Sequence, residues 1–198
     1  MPIIPDLILG SGSLLQHISR VKYRGQPLYF GNAALNRYDD PDKVYGVLYL
    51  AFDINTALME SMFHKHKWHR RVGRSVSLKE VNSRLVRAVG VLNDIRLANL
   101  NAPDTMARVF GLNLGQISSR NYRYTHSISR CVYQDVDSVG NPRFDGILYP
   151  SRNNYPGNCV ALFDRAVKKI EVSADIDLPN HCGWSSFVAA NALAILKP

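Results

Sequence analysis

An arginine that forks two N–H donors onto a phosphate, a tyrosine whose face stacks on a flat heterocycle and a carboxylate that stabilises a cationic sugar carbon together suit glycosidic cleavage through an oxocarbenium-like transition state. The chain offers candidates for each role. Arg20 lies in HISRVKYRG, with Arg24 nearby, on an expected short strand, and Arg37 lies in the turn ALNRYDDPD ahead of the apolar run VYGVLYLAF. Tyr49 belongs to that run, and Glu60 follows in DINTALMESMFHKHK. Ser151 stands in LYPSRNNYPGN between two apolar segments. With no GxSxG around it, it is not a nucleophile elbow and reads as a hydrogen-bonding serine that orients a substrate.

Taken singly, each residue has a plainer role. Arg20 reads as a solvated surface arginine, Arg37 as a salt-bridge partner of Asp39, Asp40 or Asp42, Tyr49 as a core aromatic, Glu60 as a capped or paired helix acid, and Ser151 as a turn serine. Other motifs carry less. GSGS at positions 10–13 is not followed by GK[ST], so no P-loop is expected. His64, His66 and His69 cluster in FHKHKWHRR without a cysteine or acid at metal-ligand spacing, so no metal site is expected. From Lys65 to Arg87 the chain holds Lys65, Lys67, Arg70, Arg71, Arg74, Lys79, Arg84 and Arg87 against the single acid Glu80. Such a run is a solvated face, a dock for an acidic partner or a nucleic-acid footprint.

The elements that must position these residues are mixed. Weak alternation over 17–23, a short aromatic stretch at 28–30 and the compact run 46–52 read as strands, with a turn at 36–42. Asp53 or Asn55 can cap a following helix in which Ile54, Leu58 and Met62 recur at i, i+4, i+8, which puts Glu60 beside the apolar stripe where helix meets sheet. Further on, a strand is expected at 85–89, helices near 103–110 and 118–133, buried strands at 144–150 and 159–163 flanking the polar turn 151–158, and an Ala-rich helix over 184–196. The order lacks a regular βαβ rhythm, which argues against a doubly wound sheet.

Length and composition set the frame. The 198 residues, 46% hydrophobic, fit one domain with a real core. The start MPIIPDLILGSGSLLQ has no basic n-region and is too short to span a bilayer, so the expectation is a cytoplasmic protein without membrane association. Cys131, Cys159 and Cys182 are widely spaced without CxxC, so they read as reduced, buried thiols. A net charge of +8 points to a polyanionic partner: nucleic acid, a phosphate-bearing molecule or an acidic protein surface.

Taken in order, SRV, PLYFG, NRYDDPD, GVLYLAFDINTALMES and DGILYPSRNNYPGNCVALF resemble the RES-domain family, named for its arginine, glutamate and serine. The resemblance runs over about 18–165 of a single domain spanning 1–198, with a basic, insertion-like segment at about 64–90. It implies an α+β fold similar to ADP-ribosyltransferases, with short strands in a split sheet and flanking helices. It implies a bacterial enzyme that degrades NAD as glycohydrolase or phosphorylase, with no cofactor beyond NAD as substrate and inorganic phosphate as a candidate co-substrate. By the same resemblance, Arg20 and Arg37 grip the pyrophosphate or ribose, Tyr49 stacks near nicotinamide, Glu60 holds the nicotinamide ribose and Ser151 orients amide or ribose. The implied biology is the toxin half of a toxin–antitoxin pair, neutralised by an Xre-like antitoxin through which alone nucleic acid would be met, with homo-oligomerisation left open. The alternatives are ADP-ribosyl transfer to a macromolecule and a basic nucleic-acid-binding module.

Overall fold

A computed structural model describes residues 3–26, 28–64, 74–119 and 121–197. Among the described residues, ten strands and five α-helices make up the mixed α+β domain: β1 Asp6–Leu9, β2 Leu14–Arg20, β3 Val47–Ala51, α1 Ile54–Ser61, β4 Ser75–Ser77, α2 Leu78–Asn82, β5 Arg84–Val91, β6 Ile95–Asn99, α3 Leu114–Ser118, α4 Arg123–Gln134, β7 Gly146–Pro150, β8 Asn158–Phe163, β9 Ile170–Asp177, α5 Cys182–Ala190 and β10 Ala194–Leu196. Eight strands form one sheet in the order β1-β6-β7-β8-β3-β2-β5-β9, antiparallel except between β6 and β7; β10 and β4 pair separately.

Strand alternation divides the apolar residues between two cores. Leu48 and Leu50 join Leu15, Val89, Leu97, Val160 and Leu162 in a cluster made almost wholly of strand residues, which the curled sheet encloses against itself. Val47 and Ala51, with Ala161 and Phe163, face the other way onto Leu58 of α1, Phe63 just after it, Ile128 of α4 and Phe187 of α5. The helices, and with them Glu60, therefore belong to the second face.

The sheet is split where β2 meets β3, which are joined by one residue pair, Gln16 with Ala51. Across that seam the His17 ring nitrogen Nδ1 lies 2.9 Å from the Tyr49 carbonyl oxygen, satisfying a backbone group that an intact ladder would have paired. Burial depresses the pKa of His17, the nearby Arg87 charge adding to this, while its bond to Tyr49 and the charge of Asp175 oppose it. A folded-state pKa below the unfolded one means that the unfolded chain binds more protons, so this stabilisation is full above about pH 6.5 and is lost as pH falls below it. We expect the unfolding temperature to drop from pH 7.5 to 5.5, and His17→Asn, which keeps an N–H donor without the titration, to reduce that drop. His181, the buried-side cap of α5, is shifted the same way and leaves a residual slope; an unchanged pH dependence in His17→Asn would refute the assignment.

Several expected elements differ. The 28–30 stretch forms no strand and contributes only an isolated pairing of Gly31 with Val47. The helix expected near 103–110 is a short wide turn at Thr105–Val109, entered through Asp104 in the left-handed region. The helix expected over 118–133 is instead the end of α3 and, after a break, α4. The closing helix stops at Ala190, where Asn191 donates Nδ2 to the Phe187 carbonyl and Ala192 turns left-handed at φ 46°, after which 194–196 becomes β10. All three thiols are free, but Cys131 and Cys182 are exposed, on the outer side of α4 and in the first turn of α5; Cys159 alone is buried. Among the described residues no helix is long and apolar enough to cross a membrane.

Candidate active site

α1 begins where the sequence places it. Asp53 caps it, its Oδ1 accepting from the Thr56 amide at 2.9 Å and its Oδ2 from the Thr56 hydroxyl at 2.7 Å. Two turns later Glu60 meets the turn that leaves β7: its Oε1 accepts from Ser151 Oγ at 2.6 Å and from the Asn153 amide at 3.1 Å. Its Oε2 has no hydrogen bond among the described residues and is free for a ligand.

Ser151 is buried, and its oxygen also accepts from the amides of Asn153, at 3.2 Å, and Asn154, at 2.8 Å. Asn154 Nδ2 donates to Thr56 Oγ1 at 2.8 Å, tying the turn back to the start of α1. The turn closes through Ser151 N donating to the Gly157 carbonyl and Gly157 N to the Asn154 carbonyl, each at 2.7 Å. Residue 157 must be glycine, since a Cβ there would lie 2.7 Å from that Asn154 oxygen. The proton of this serine is therefore directed at a carboxylate, and no hydrogen bond joins it to a histidine among the described residues.

Arg37 takes none of the aspartates offered by its own turn. Asp40 and Asp42 go to Arg130 of α4, and Asp39 folds the turn on itself, its Oδ2 accepting from the amides of Leu35 and Asn36 and from Asn36 Nδ2. The guanidinium of Arg37, 8% exposed, instead packs with its carbon 5.4 Å from the ring centres of both Tyr38 and Tyr149. Its Nη2 donates to the Ile117 carbonyl at 2.9 Å, while Nε and Nη1 are buried without a partner among the described residues. A buried cation with unsatisfied donors and no carboxylate is costly unless an anion completes it.

Arg37 and Glu60 act on the same buried groups. Burial is the main reason that Tyr38 rises to about 12 and that Cys159 rises to about 12, and in both the Glu60 charge pushes up while the Arg37 charge pulls down. Tyr149, two residues before Ser151, is likewise raised by burial first and feels Glu60. The structure thus brings Arg37, Glu60 and Ser151 around Tyr38 and Tyr149.

Tyr49 serves this site from beneath. Its hydroxyl donates to Asp39 Oδ1 at 2.9 Å and accepts from the Tyr38 amide at 2.8 Å, so it clamps the turn that carries Arg37. That task differs from stacking on a ligand ring. Tyr49→Phe is expected to lower stability by about 1–3 kcal/mol, because the buried Tyr38 amide loses its acceptor, and to weaken ligand binding through Arg37. An unfolding curve and a binding isotherm that both match the wild type would refute the clamp.

Arg20 is not brought in. Its side chain, 43% exposed at the end of β2, pairs with Glu80 Oε2 at 3.6 Å, and among the described residues no hydrogen bond or ion pair joins it to Arg37, Tyr49, Glu60 or Ser151. Arg24 pairs with Asp177. Of the basic run, Lys65, Lys67, Arg70 and Arg71, with His66 and His69, lie outside the described residues. Arg84 is paired with Glu80, and Arg87 is buried in β5 with a two-pronged bond to Asp175, Nε to Oδ1 and Nη2 to Oδ2, each 2.7 Å. His64 is hydrogen-bonded to the Ser61 carbonyl, and no metal-holding group of His, Cys, Asp or Glu occurs among the described residues.

Sequence reasoning missed Tyr38, Tyr149, Arg152, Asn153 and Asn154. Their signal was adjacency: each lies within two residues of Arg37 or within three of Ser151, and PSRNN places four polar side chains in a row after a buried strand end. A groove of about 1260 Å³ along α4, lined in part by Val109, Phe110, Tyr122, His126 and Arg130, includes none of the five expected site residues.

Comparison with known proteins bears on the family and the fold. The model of the RES domain matches residues 14–181. Among solved structures, a chain of the MbcT–MbcA toxin–antitoxin complex of M. tuberculosis superposes with a TM-score of 0.64 at 12% identity, over 93% of this chain and 92% of that one. No curated protein matches.

Proposed function

The chain belongs to the RES-domain family, and from that premise we propose that it is an enzyme that breaks the nicotinamide–ribose bond of NAD. One observation carries the reading: a carboxyl with one oxygen fixed by Ser151 and the other without a hydrogen bond shares its surroundings with a buried arginine that has no counter-ion among the described residues. NAD supplies what each lacks, a cationic ribosyl centre and a pair of phosphates.

In this scheme Arg37 holds phosphate, Glu60 Oε2 accepts from a hydroxyl of the nicotinamide ribose, and the buried, unpartnered Asn153 Nδ2 supplies a further donor beside Ser151. The C–N bond breaks with its electron pair going to the ring nitrogen. Because nicotinamide is cationic in NAD and departs neutral, no general acid is needed. Positive charge grows on the ribose, where the Glu60 charge stabilises it, and the oxygen of water or inorganic phosphate then bonds to that carbon, with water releasing its proton to solvent. Preferential stabilisation of that cation, absent from bound NAD, is what accelerates the step. The fold is of the ADP-ribosyltransferase kind in this reading, with Glu60 of α1 and the 151–157 turn lining its NAD site.

The protein acts in the bacterial cytoplasm as the toxin of a toxin–antitoxin pair, restrained by an Xre-like antitoxin. Family membership supports this, and so does the fold shared with a chain of a toxin–antitoxin complex.

Purified protein incubated with NAD, with and without inorganic phosphate, is expected to release nicotinamide. Free ADP-ribose would identify water as acceptor, a phosphorylated ADP-ribose would identify phosphate, and label retained on macromolecule would identify transfer. Intact NAD in every arm, with salt-sensitive duplex binding, would replace the reading by nucleic-acid binding.

A further inference from the structure

Arg152 follows Ser151 directly, and its Nη1 donates to the Ser118 carbonyl at 3.2 Å, with the Ser119 carbonyl at 3.5 Å. Arg37 donates to the Ile117 carbonyl, one residue earlier in the same turn. Consecutive residues stand only about 3.8 Å apart along the chain, so two guanidinium groups reaching adjacent carbonyls are neighbours.

Neither group has a carboxylate partner among the described residues. Among the described residues Arg20, Arg24, Arg84, Arg87, Arg96, Arg130 and Arg143 each have one. Two neighbouring cations oriented by neutral carbonyls repel one another, and one of them is buried with Nε and Nη1 unsatisfied. The carbonyls fix direction without neutralising charge, so the pair is complementary to a dianion.

We infer that Arg152 is a second anion-binding residue, and that Arg37 and Arg152 together take the diphosphate of a dinucleotide. This rests on the NAD reading for the identity of the ligand and deepens it by assigning the role that Arg20, held by Glu80, does not fill. Arg37 offers its free edge between Tyr38 and Tyr149. Arg152, with its longer and more exposed bonds, shifts from the 118–119 carbonyls to phosphate oxygen. Because Arg152 adjoins Ser151, the diphosphate then lies next to the ribose that Glu60 holds.

The probe is ADP, which carries the diphosphate but no nicotinamide, with adenosine as the uncharged control. Calorimetry on the full chain should show ADP binding and little adenosine binding. Arg152→Ala should weaken ADP binding and raise the KM for NAD by about tenfold to a hundredfold, as loss of a charge-assisted bond does, while kcat falls by no more than about threefold. Arg152→Lys, which keeps the charge without the fork, should recover part of the loss and guards against misfolding of the alanine variant, itself checked by its unfolding temperature. ADP bound equally by wild type and Arg152→Ala, or no better than adenosine by wild type, overturns the inference. Wild type that binds ADP through Arg152 yet leaves NAD intact upholds it and overturns NAD cleavage instead.

Discussion

Glu60→Gln is expected to lower kcat for NAD cleavage by about 10²–10³-fold while leaving the unfolding temperature nearly unchanged, the scale on which removal of a preorganised electrostatic partner acts. Glutamine keeps a side-chain oxygen in the place of Oε1, so Ser151 Oγ and the Asn153 amide retain an acceptor and the 151–157 turn retains its anchor. What is lost is the negative charge that stabilises the ribosyl cation. Glu60→Ala removes the acceptor as well, and should add about 1–3 kcal/mol of destabilisation to the same catalytic loss. Nicotinamide release measured beside thermal unfolding separates the two effects, and undiminished turnover by the glutamine variant would remove Glu60 from the chemistry.

The largest effect on stability is expected far from the site. Asp175→Ala strips the carboxylate from Arg87, which is 1% exposed on β5, next to the edge strand β9, and bound by both prongs. Breaking a buried ion pair from one side costs about 3–5 kcal/mol, because the remaining charge stays desolvated. In a chain of this size that lowers the unfolding temperature by roughly 10 °C. Replacing both partners together, as Arg87→Met with Asp175→Leu, should recover much of the loss, since no charge is then stranded. A single variant as stable as the wild type would contradict the pairing.

Local chemistry decided how much of this was legible in advance. α1 was readable because Asp53, the i, i+4, i+8 stripe and the preceding apolar run all agree on one start and one buried face. β3, β7 and β8 were readable because continuous apolar runs between turn residues are what doubly buried strands require. β9 was not, since IEVSADID is a sheet-edge strand that mixes polar and apolar residues on its exposed positions and whose placement depends on pairing with the distant β5. The same limit applies to the site. Arg37, Glu60 and Ser151 could be nominated by type and order, but the choice between Arg20 and Arg152 depends on which arginine meets an acid, and the Glu80 that neutralises Arg20 stands sixty residues away. Nor could spacing reveal that Arg130 would claim Asp40 and Asp42, leaving Arg37 without a counter-ion among the described residues.

The single residue pair between β2 and β3 means that the sheet is two blocks sharing a hinge line, with α1 packed over both sides of it. Glu60 rides on the element that straddles this joint, while Ser151 belongs wholly to the block containing β7 and β8. Both cores cross that line, from Leu15 and Val89 to Leu48 and Val160 on one face and from Ile18 and Val86 to Val47 and Ala161 on the other, so they brace the joint, and a molecule bound between acid and serine would act as a further splint.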